Sequence, residues 1–112
     1  MQTSREKTDE IRRLNDQLRC QGMGGRILVT QGVDALGPEN AAQVLEAVAE
    51  FEAFGPDNDP YGEHDCASIE VNGKRIIWKI DYYDASLTYG SPDPADPSVT
   101  RRVMTVMLAE EY

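Results

Sequence analysis

The amino-acid sequence predicts a single α+β domain over residues 1–112, in the order α-β-α-β-β-α, with a small antiparallel sheet packed on helices. Three observations predict this class. Apolar residues recur at helical spacing near the N-terminus and again after Pro38, and an Asn72-Gly73 turn separates two segments of alternating polarity. A chain of 112 residues can bury one core. Residues 1–7 are expected to fray.

The first predicted helix covers residues 4–20. Its apolar residues are three or four positions apart: Ile11, Leu14 and Leu18. Residues 26–31 follow as a β-rich run and predict a mostly buried strand. The glycines of residues 22–25 precede this strand, whereas phosphate-binding loops follow a strand and open a helix, so they indicate a connector.

A second helix is predicted to begin at Pro38, because proline suits the first helical position. A turn with two glycines precedes it, and Gly55-Pro56 ends it. Helical spacing is kept by Ala41, Val44, Leu45, Val48 and Phe51.

The last segment follows a proline-rich loop over residues 91–97. Its apolar residues keep helical spacing, which predicts a helix: Val99, Val103, Val106 and Met107. Residues 103–108 also fit a strand, because they form a short apolar run that contains three β-branched residues.

Asn72-Gly73 predicts a hairpin, since a two-residue type I′ turn needs positive φ at both central positions. The resulting register pairs Glu70 with Arg75 and places His64 opposite Asp81. One face of the hairpin is apolar and is expected to be core, with the tryptophan among the most buried residues: Ala67, Ile69, Val71, Ile76, Trp78, Ile80 and Tyr82.

The net charge of −9 is unevenly distributed. Residues 1–26 hold six Lys/Arg and four acids, whereas residues 27–112 hold five Lys/Arg and sixteen acids. Such a surface disfavours direct nucleic-acid binding, which needs cations to neutralise phosphates, and it favours a basic protein partner. No apolar run approaches the ~18 residues of a membrane span, and the N-terminus lacks an apolar signal core. We therefore expect a cytoplasmic protein whose cysteines, Cys20 and Cys66, are reduced.

Four segments of the chain resemble a family of small uncharacterised bacterial proteins: Asn58-Asp-Pro-Tyr-Gly-Glu-His-Asp65, Trp78-Lys-Ile-Asp-Tyr-Tyr-Asp84, Ser91-Pro-Asp-Pro-Ala-Asp-Pro97 and Met107-Leu-Ala-Glu-Glu-Tyr112. The resemblance covers roughly residues 8–112. It implies a domain of unknown function that occurs mainly in alphaproteobacteria, often on plasmids and phage-derived elements. Small acidic proteins of such elements frequently block host restriction or CRISPR machinery, so the resemblance points to an inhibitor. It implies no reaction and no catalytic residue.

A catalytic interpretation takes His64 as a general base oriented by Asp81, with Cys66 as nucleophile and Lys79 lowering the pKa of the thiol. Residues i and i+2 of a strand lie about 6–7 Å apart, however, which is longer than the ~3 Å that a base and a nucleophile need. The alternative interpretation is a surface ladder of polar cross-strand pairs, which we favour.

A metal site is also considered, because residues 57–62 begin like a calcium-binding loop. The pattern fails at Tyr61 and at Ser68, where ligands are expected, and the chain has one histidine. We therefore expect neither a metal nor a cofactor.

The favoured function is a non-enzymatic, acidic protein-binding module of a mobile element, an anti-CRISPR or anti-restriction inhibitor that binds a basic host protein. The alternative is a small hydrolase-like enzyme that uses His64 and Asp81. The residues expected to contact the partner are Glu46, Glu50, Asp57, Asp59, Tyr61, Glu63, His64, Asp65, Lys79, Asp81 and Tyr83.

Overall fold

The structure is a computed structural model, and it describes residues 2–112. It confirms the α+β class. The helices and strands are α1 (Ser4–Gln21), β1 (Arg26–Val29), α2 (Gln31–Asp34), α3 (Pro38–Glu50), β2 (Cys66–Val71), β3 (Lys74–Tyr83) and β4 (Arg101–Leu108). Two single 3₁₀ turns, Pro97–Val99 and Ala109–Glu111, flank β4. No helix in the described range has the length and apolar character needed to cross a membrane.

The helix α1 is limited by local signals in the sequence. The Thr3 side chain accepts a hydrogen bond from the Glu6 N–H and caps the first turn of the helix. Gly22 ends it with a left-handed φ of 70°. A short helix that the sequence did not predict, α2, follows β1 because the Thr30 side chain caps its first turn.

The four strands form one mixed sheet in the order β1-β4-β3-β2. The strand β1 runs parallel to β4, and the other neighbours are antiparallel. The helix expected for the last segment is therefore wrong, and the strand alternative is right. Pairing along both edges satisfies the backbone of β4, and its side chains alternate between the two sheet faces.

The burial expected for β1 is also wrong, since all four of its residues are exposed. This strand lies at the edge of the sheet and has a neighbour on one side alone. Its β-rich composition indicated the strand but carried no information about its place in the sheet.

The predicted hairpin register is confirmed, with Glu70 paired to Arg75. Asn72 and Gly73 have φ values of 51° and 80°, as a type I′ turn requires. The antiparallel pairing ends one residue before β2, where the Ile80 N–H donates to the Asp65 carbonyl over 2.7 Å.

The core lies between the sheet and the helices α1 and α3. The apolar face of the hairpin faces this layer as predicted, and Trp78 is completely buried. The other fully or nearly fully buried members come from the helices and the central strands: Leu18, Val33, Val44, Val48, Ile76, Ile80, Met104 and Val106.

Candidate functional site

The acidic loop between α3 and β2 is fastened to α1 by polar side chains on one face of that helix. Arg12 Nη1 donates to the Gly62 carbonyl over 2.9 Å, and Asn15 Nδ2 donates to the Glu63 carbonyl over 2.9 Å. Because residues three or four apart lie on one helical face, successive turns of α1 hold successive parts of the loop.

His64 is the centre of this contact. Its Nδ1 lies 2.9 Å from Oδ1 of Asp16, and its ring stacks on Phe54 with centroids 3.7 Å apart and planes 5° from parallel. Asp59 faces the other side of the ring, with Oδ2 3.6 Å from Nε2, and its Oδ1 accepts the backbone N–H of His64 over 3.1 Å. The positive φ of 54° at His64 turns the chain here toward α1.

Arg19 joins α1 to the end of α3. Its buried guanidinium lies over the rings of Phe54 and Trp78, and Nη2 donates to Asp16 Oδ1 over 3.0 Å. Nη1 donates to three carbonyls in the last turn of α3 and just beyond it, those of Val48, Ala49 and Phe51. The last carbonyl groups of a helix have no donor within the helix. Arg19 of α1 supplies a donor to these carbonyls and so caps the C-terminal end of α3.

A second buried polar network lies beside this one. Asn15 Nδ2 donates to the Tyr82 hydroxyl over 2.8 Å, and Asn15 Oδ1 accepts from Arg102 Nε over 2.8 Å. The hydroxyl in turn donates to Glu63 Oε1 over 2.8 Å. Burial raises the pKa of Tyr82, which keeps the phenol protonated as this donor.

The pairing of His64 with Asp81 is not found. His64 contacts α1 on the helical side of the sheet, whereas Asp81 lies on the opposite face, because it alternates with the buried Ile80. Asp81 instead pairs with Lys79 at 2.9 Å. The register alone predicted the contact, but the chain leaves the hairpin pairing at Asp65 and turns away.

Cys66 lies opposite Lys79 as predicted, but its surroundings do not activate a thiol. Burial, followed by the negative charge of Asp65, raises the pKa of Cys66. Lys79 is engaged by Asp81, whose hydrogen bond raises the pKa of the ammonium. The expectation that Lys79 lowers the pKa of the Cys66 thiol is therefore wrong.

The geometry around His64 is that of a structural contact. Both ring nitrogens face carboxylates and one ring face is covered by Phe54, so neither nitrogen points to open space where a substrate could lie. A shallow groove of about 350 Å³ beside the ring is lined by α1 and the segment after α3. Between residues 2 and 112, no group of three or more His, Cys, Asp or Glu side chains could hold a metal ion.

The residues expected to contact a partner do not form one surface. Glu46, Glu50 and Asp57 are exposed on α3 and after it, and Tyr61 is 78% exposed in the loop. Asp59 and Glu63 accept hydrogen bonds inside the protein, as described above, and His64 is partly buried. Asp65 is half-buried, and Lys79, Asp81 and Tyr83 lie on the sheet face that the helices leave open.

One stretch of the sequence is more acidic than the division at residue 26 indicated. Residues 27–73 hold ten acids and no lysine or arginine. Within this stretch, seven exposed carboxylates make no ion pair with any described residue. We call the five that lie on α3 and on the segment after it the acidic surface: Glu39, Glu46, Glu50, Glu52 and Asp57.

The sequence analysis also did not identify the polar residues of α1 that hold the acidic loop and the end of α3. Asn15 and Arg19 follow Ile11 at intervals of four, so they adjoin the apolar stripe and were candidates for burial. Apart from Asp16, the partners of these two residues lie 29 to 87 positions away, and nothing in the local pattern indicates them.

Comparison with known proteins identifies a family to which no reaction is assigned. A family described as "Protein of unknown function (DUF3768)" has a sequence profile that matches residues 29–111. Neither curated proteins nor solved structures gave a significant match. The matched range includes α2, α3, the acidic loop, the hairpin and β4. The chain therefore belongs to the DUF3768 family of proteins of unknown function.

Proposed function

We propose that this protein is a non-enzymatic binding module whose acidic surface docks on a basic surface of a host protein. The observation that carries the proposal is the set of unpaired carboxylates along α3 and the segment after it. Like charges without counterions repel one another, and a basic partner would relieve that repulsion on binding.

The spacing of these carboxylates favours a charge-steered contact with a protein and disfavours close mimicry of DNA. Glu46 and Glu50 are one helical turn apart, which corresponds to about 6 Å along the axis. Duplex DNA carries one charge per ~1.7 Å of its axis, so the acidic surface is several times sparser. Such a surface suits complementary charges that speed the encounter and set its orientation.

We further propose that the partner belongs to a nucleic-acid-binding defence complex and that the protein acts in the cytoplasm as an anti-CRISPR or anti-restriction factor of a mobile element. Two points support this. The resemblance is to proteins often carried on plasmids and phage-derived elements, and defence complexes have basic nucleic-acid channels that an acidic protein can occupy.

The geometry supports the small-enzyme alternative less well. His64 and Asp81 lie on opposite sides of the sheet, and the carboxylates of Asp16 and Asp59 take both imidazole nitrogens. A general base needs a nitrogen within hydrogen-bond reach of the substrate.

Affinity capture from a host lysate with charge-reversal variants tests the proposal. Wild type is expected to retain a basic partner at low salt and to lose it as salt shortens the Debye length. The double variant Glu46→Lys/Glu50→Lys is expected to lose that partner while its melting temperature stays near that of wild type, because both side chains are exposed.

The matched control is Glu70→Lys/Glu110→Lys, which makes the same charge change at two exposed acids outside the acidic surface. It is expected to retain the partner. If the two double variants capture equal amounts of the partner, or if the amount captured by wild type does not change with salt concentration, the acidic surface is not the docking site.

A further inference from the structure

A cavity lies at the end of the sheet where β4 begins. It has a volume of about 580 Å³ and is bounded by the segment before β1, the loop after β3 and the start of β4. Gly25 allows these parts to approach, because a Cβ at this position would lie 2.5 Å from the Arg102 carbonyl oxygen. Pockets for small molecules commonly have volumes of about 300–1,000 Å³.

The charged residues that line this cavity are all arginines: Arg26, Arg101 and Arg102. No acid lines it, although the chain has 20 acids against 11 Lys/Arg. This cavity therefore has the opposite charge to the rest of the protein.

Two of these arginines are free to meet a ligand. Arg102 is buried and already donates to Asn15 and to the Pro94 carbonyl. Arg26 and Arg101 are exposed, and neither makes an ion pair with any of residues 2–112. Arg26 and Arg101 therefore bring two guanidinium groups without ion-pair partners in the described range to one cavity, where both can meet an external anion.

The register places these two arginines on the same face of the sheet. Arg26 of β1 lies directly opposite Val103 of β4, and Arg101 precedes Val103 by two residues on the same strand. Side chains at alternate positions share a face, so the two guanidinium groups flank the apolar side chain of Val103. A ligand between them would meet two donor groups and an apolar floor.

The rim of the cavity contains a strained residue. Leu87 has a φ of 61°, in the left-handed region that leucine rarely adopts, and it remains 49% exposed. Its N–H donates to the Asp84 carbonyl, and the Asp84 carboxylate accepts from the N–H groups of Thr88 and Tyr89. Strain of this kind concentrates at ligand-binding sites, and here it holds an apolar side chain at the mouth of a basic cavity.

We propose that this cavity binds a small organic phosphate, with Arg26 and Arg101 on the phosphate group and Val103 and Leu87 against the apolar part of the molecule. Two guanidinium groups match a phosphate dianion better than a carboxylate, which carries one charge. A nucleic-acid polymer is disfavoured because its other phosphates would meet the acidic remainder of the surface.

An NMR titration of the ¹⁵N-labelled protein tests the proposal, with adenosine monophosphate as the probe. The amide signals of Gly24, Gly25, Arg101 and Val103 are expected to shift in a saturable manner. Inorganic phosphate is expected to shift the same signals more weakly, because it lacks the apolar part. Adenosine and benzoate, which lack the phosphate dianion, are expected to produce no saturable shift.

The variants Arg26→Gln and Arg101→Gln are each expected to weaken binding about tenfold or more, since each removes a charge-assisted hydrogen bond. Leu87→Gly keeps the left-handed backbone accessible and removes the apolar contact, so it is expected to fold normally and to bind the nucleotide more weakly while leaving phosphate binding unchanged. Arg75→Gln is the matched control, because Arg75 is exposed at the far end of the same sheet face and bonds to Ser68.

Several results would overturn the proposal. These are the absence of a saturable shift with adenosine monophosphate, equal binding of adenosine or benzoate, and unchanged affinity in the Arg26→Gln/Arg101→Gln double variant. Equal weakening by Arg75→Gln would show that binding follows net charge and not this cavity. None of these results depends on the acidic surface, which keeps all of its residues in these variants.

Discussion

The His64 imidazole lies 2.9 Å from the Asp16 carboxylate and joins the loop before β2 to the first helix. Phe54 supports the ring from one face, so the contact combines an ion pair or hydrogen bond with aromatic stacking. This contact holds together two parts of the chain that are 48 positions apart.

A double-mutant cycle on this pair should show coupling. We expect His64→Ala and Asp16→Ala each to lower the free energy of unfolding, and the double variant to lower it by less than the sum, with a coupling of about 0.5–3 kcal/mol. Chemical denaturation of the four proteins gives the four free energies. Strict additivity would mean that the contact contributes nothing to stability.

Removing the charge of Asp65 should stabilise the protein at neutral pH. Burial, followed by the nearby charges of Asp59 and Asp81, raises the pKa of Asp65 in the folded state. The raised pKa favours folding while the group is protonated, and this contribution is lost as the pH rises through the folded pKa. Asp65→Asn should therefore unfold at higher denaturant than wild type at pH ~7, and the difference should shrink below pH ~4, where the wild-type group is protonated in both states.

Asp57→Asn is the control for this experiment, because Asp57 is exposed in the same loop. It should follow the wild-type curve across the pH range. An Asp65→Asn variant that is less stable than wild type at neutral pH would show that the carboxylate makes a favourable contact there.

Loss of the Arg19 guanidinium should destabilise the end of α3. Arg19→Met keeps most of the apolar stem but leaves the three carbonyls without this donor, and we expect a loss of about 1–3 kcal/mol in the free energy of unfolding. Arg19→Lys should restore little, because an ammonium cannot reproduce the planar arrangement of donors over the two rings.

Arg13→Met is the matched control for Arg19, since Arg13 is exposed and bonds to Glu10 on the same helix. Little or no change in the free energy of unfolding is expected, because solvent screens an exposed ion pair. If both arginines gave the same small effect in denaturation, the cap on α3 would have no energetic role.

Truncation of Trp78 should nearly unfold the domain. The side chain is completely buried, and Trp78→Ala is expected to cost about 3–5 kcal/mol out of a typical total of about 5–15. The indole Nε1–H has no partner among residues 2–112, so Trp78→Phe should cost much less than the alanine variant. Tyr61→Ala is the control, because the Tyr61 ring is exposed, and it should shift the melting temperature little. Similar shifts for Tyr61→Ala and Trp78→Ala would contradict the burial of Trp78.

The hairpin could be predicted in detail because its information is local. Asn72-Gly73 sets the turn, and the alternation on either side selects one register, since a shift by one residue would bury Lys79 and expose Trp78. The same reasoning failed at His64, one residue beyond Asp65, where the pairing ends. There the path of the chain depends on Asp16, Asn15 and Phe54, which are distant in sequence.

The sequence by itself determined the limits of α1, the start of α3, the hairpin and its core face, and the sign of the charge on most of the surface. It did not determine the end of α3, which the sequence placed at Gly55-Pro56 and which lies at Glu50, because Phe51 is extended. Caps, turns, periodicity and composition act over a few residues and can be read without the fold. Only the tertiary structure decided that residues 101–108 form a strand between β1 and β3, that β1 lies at an edge, and that Arg26 and Arg101 share a cavity. These outcomes depend on pairing between distant segments, whose free energy comes from contacts that no local pattern records.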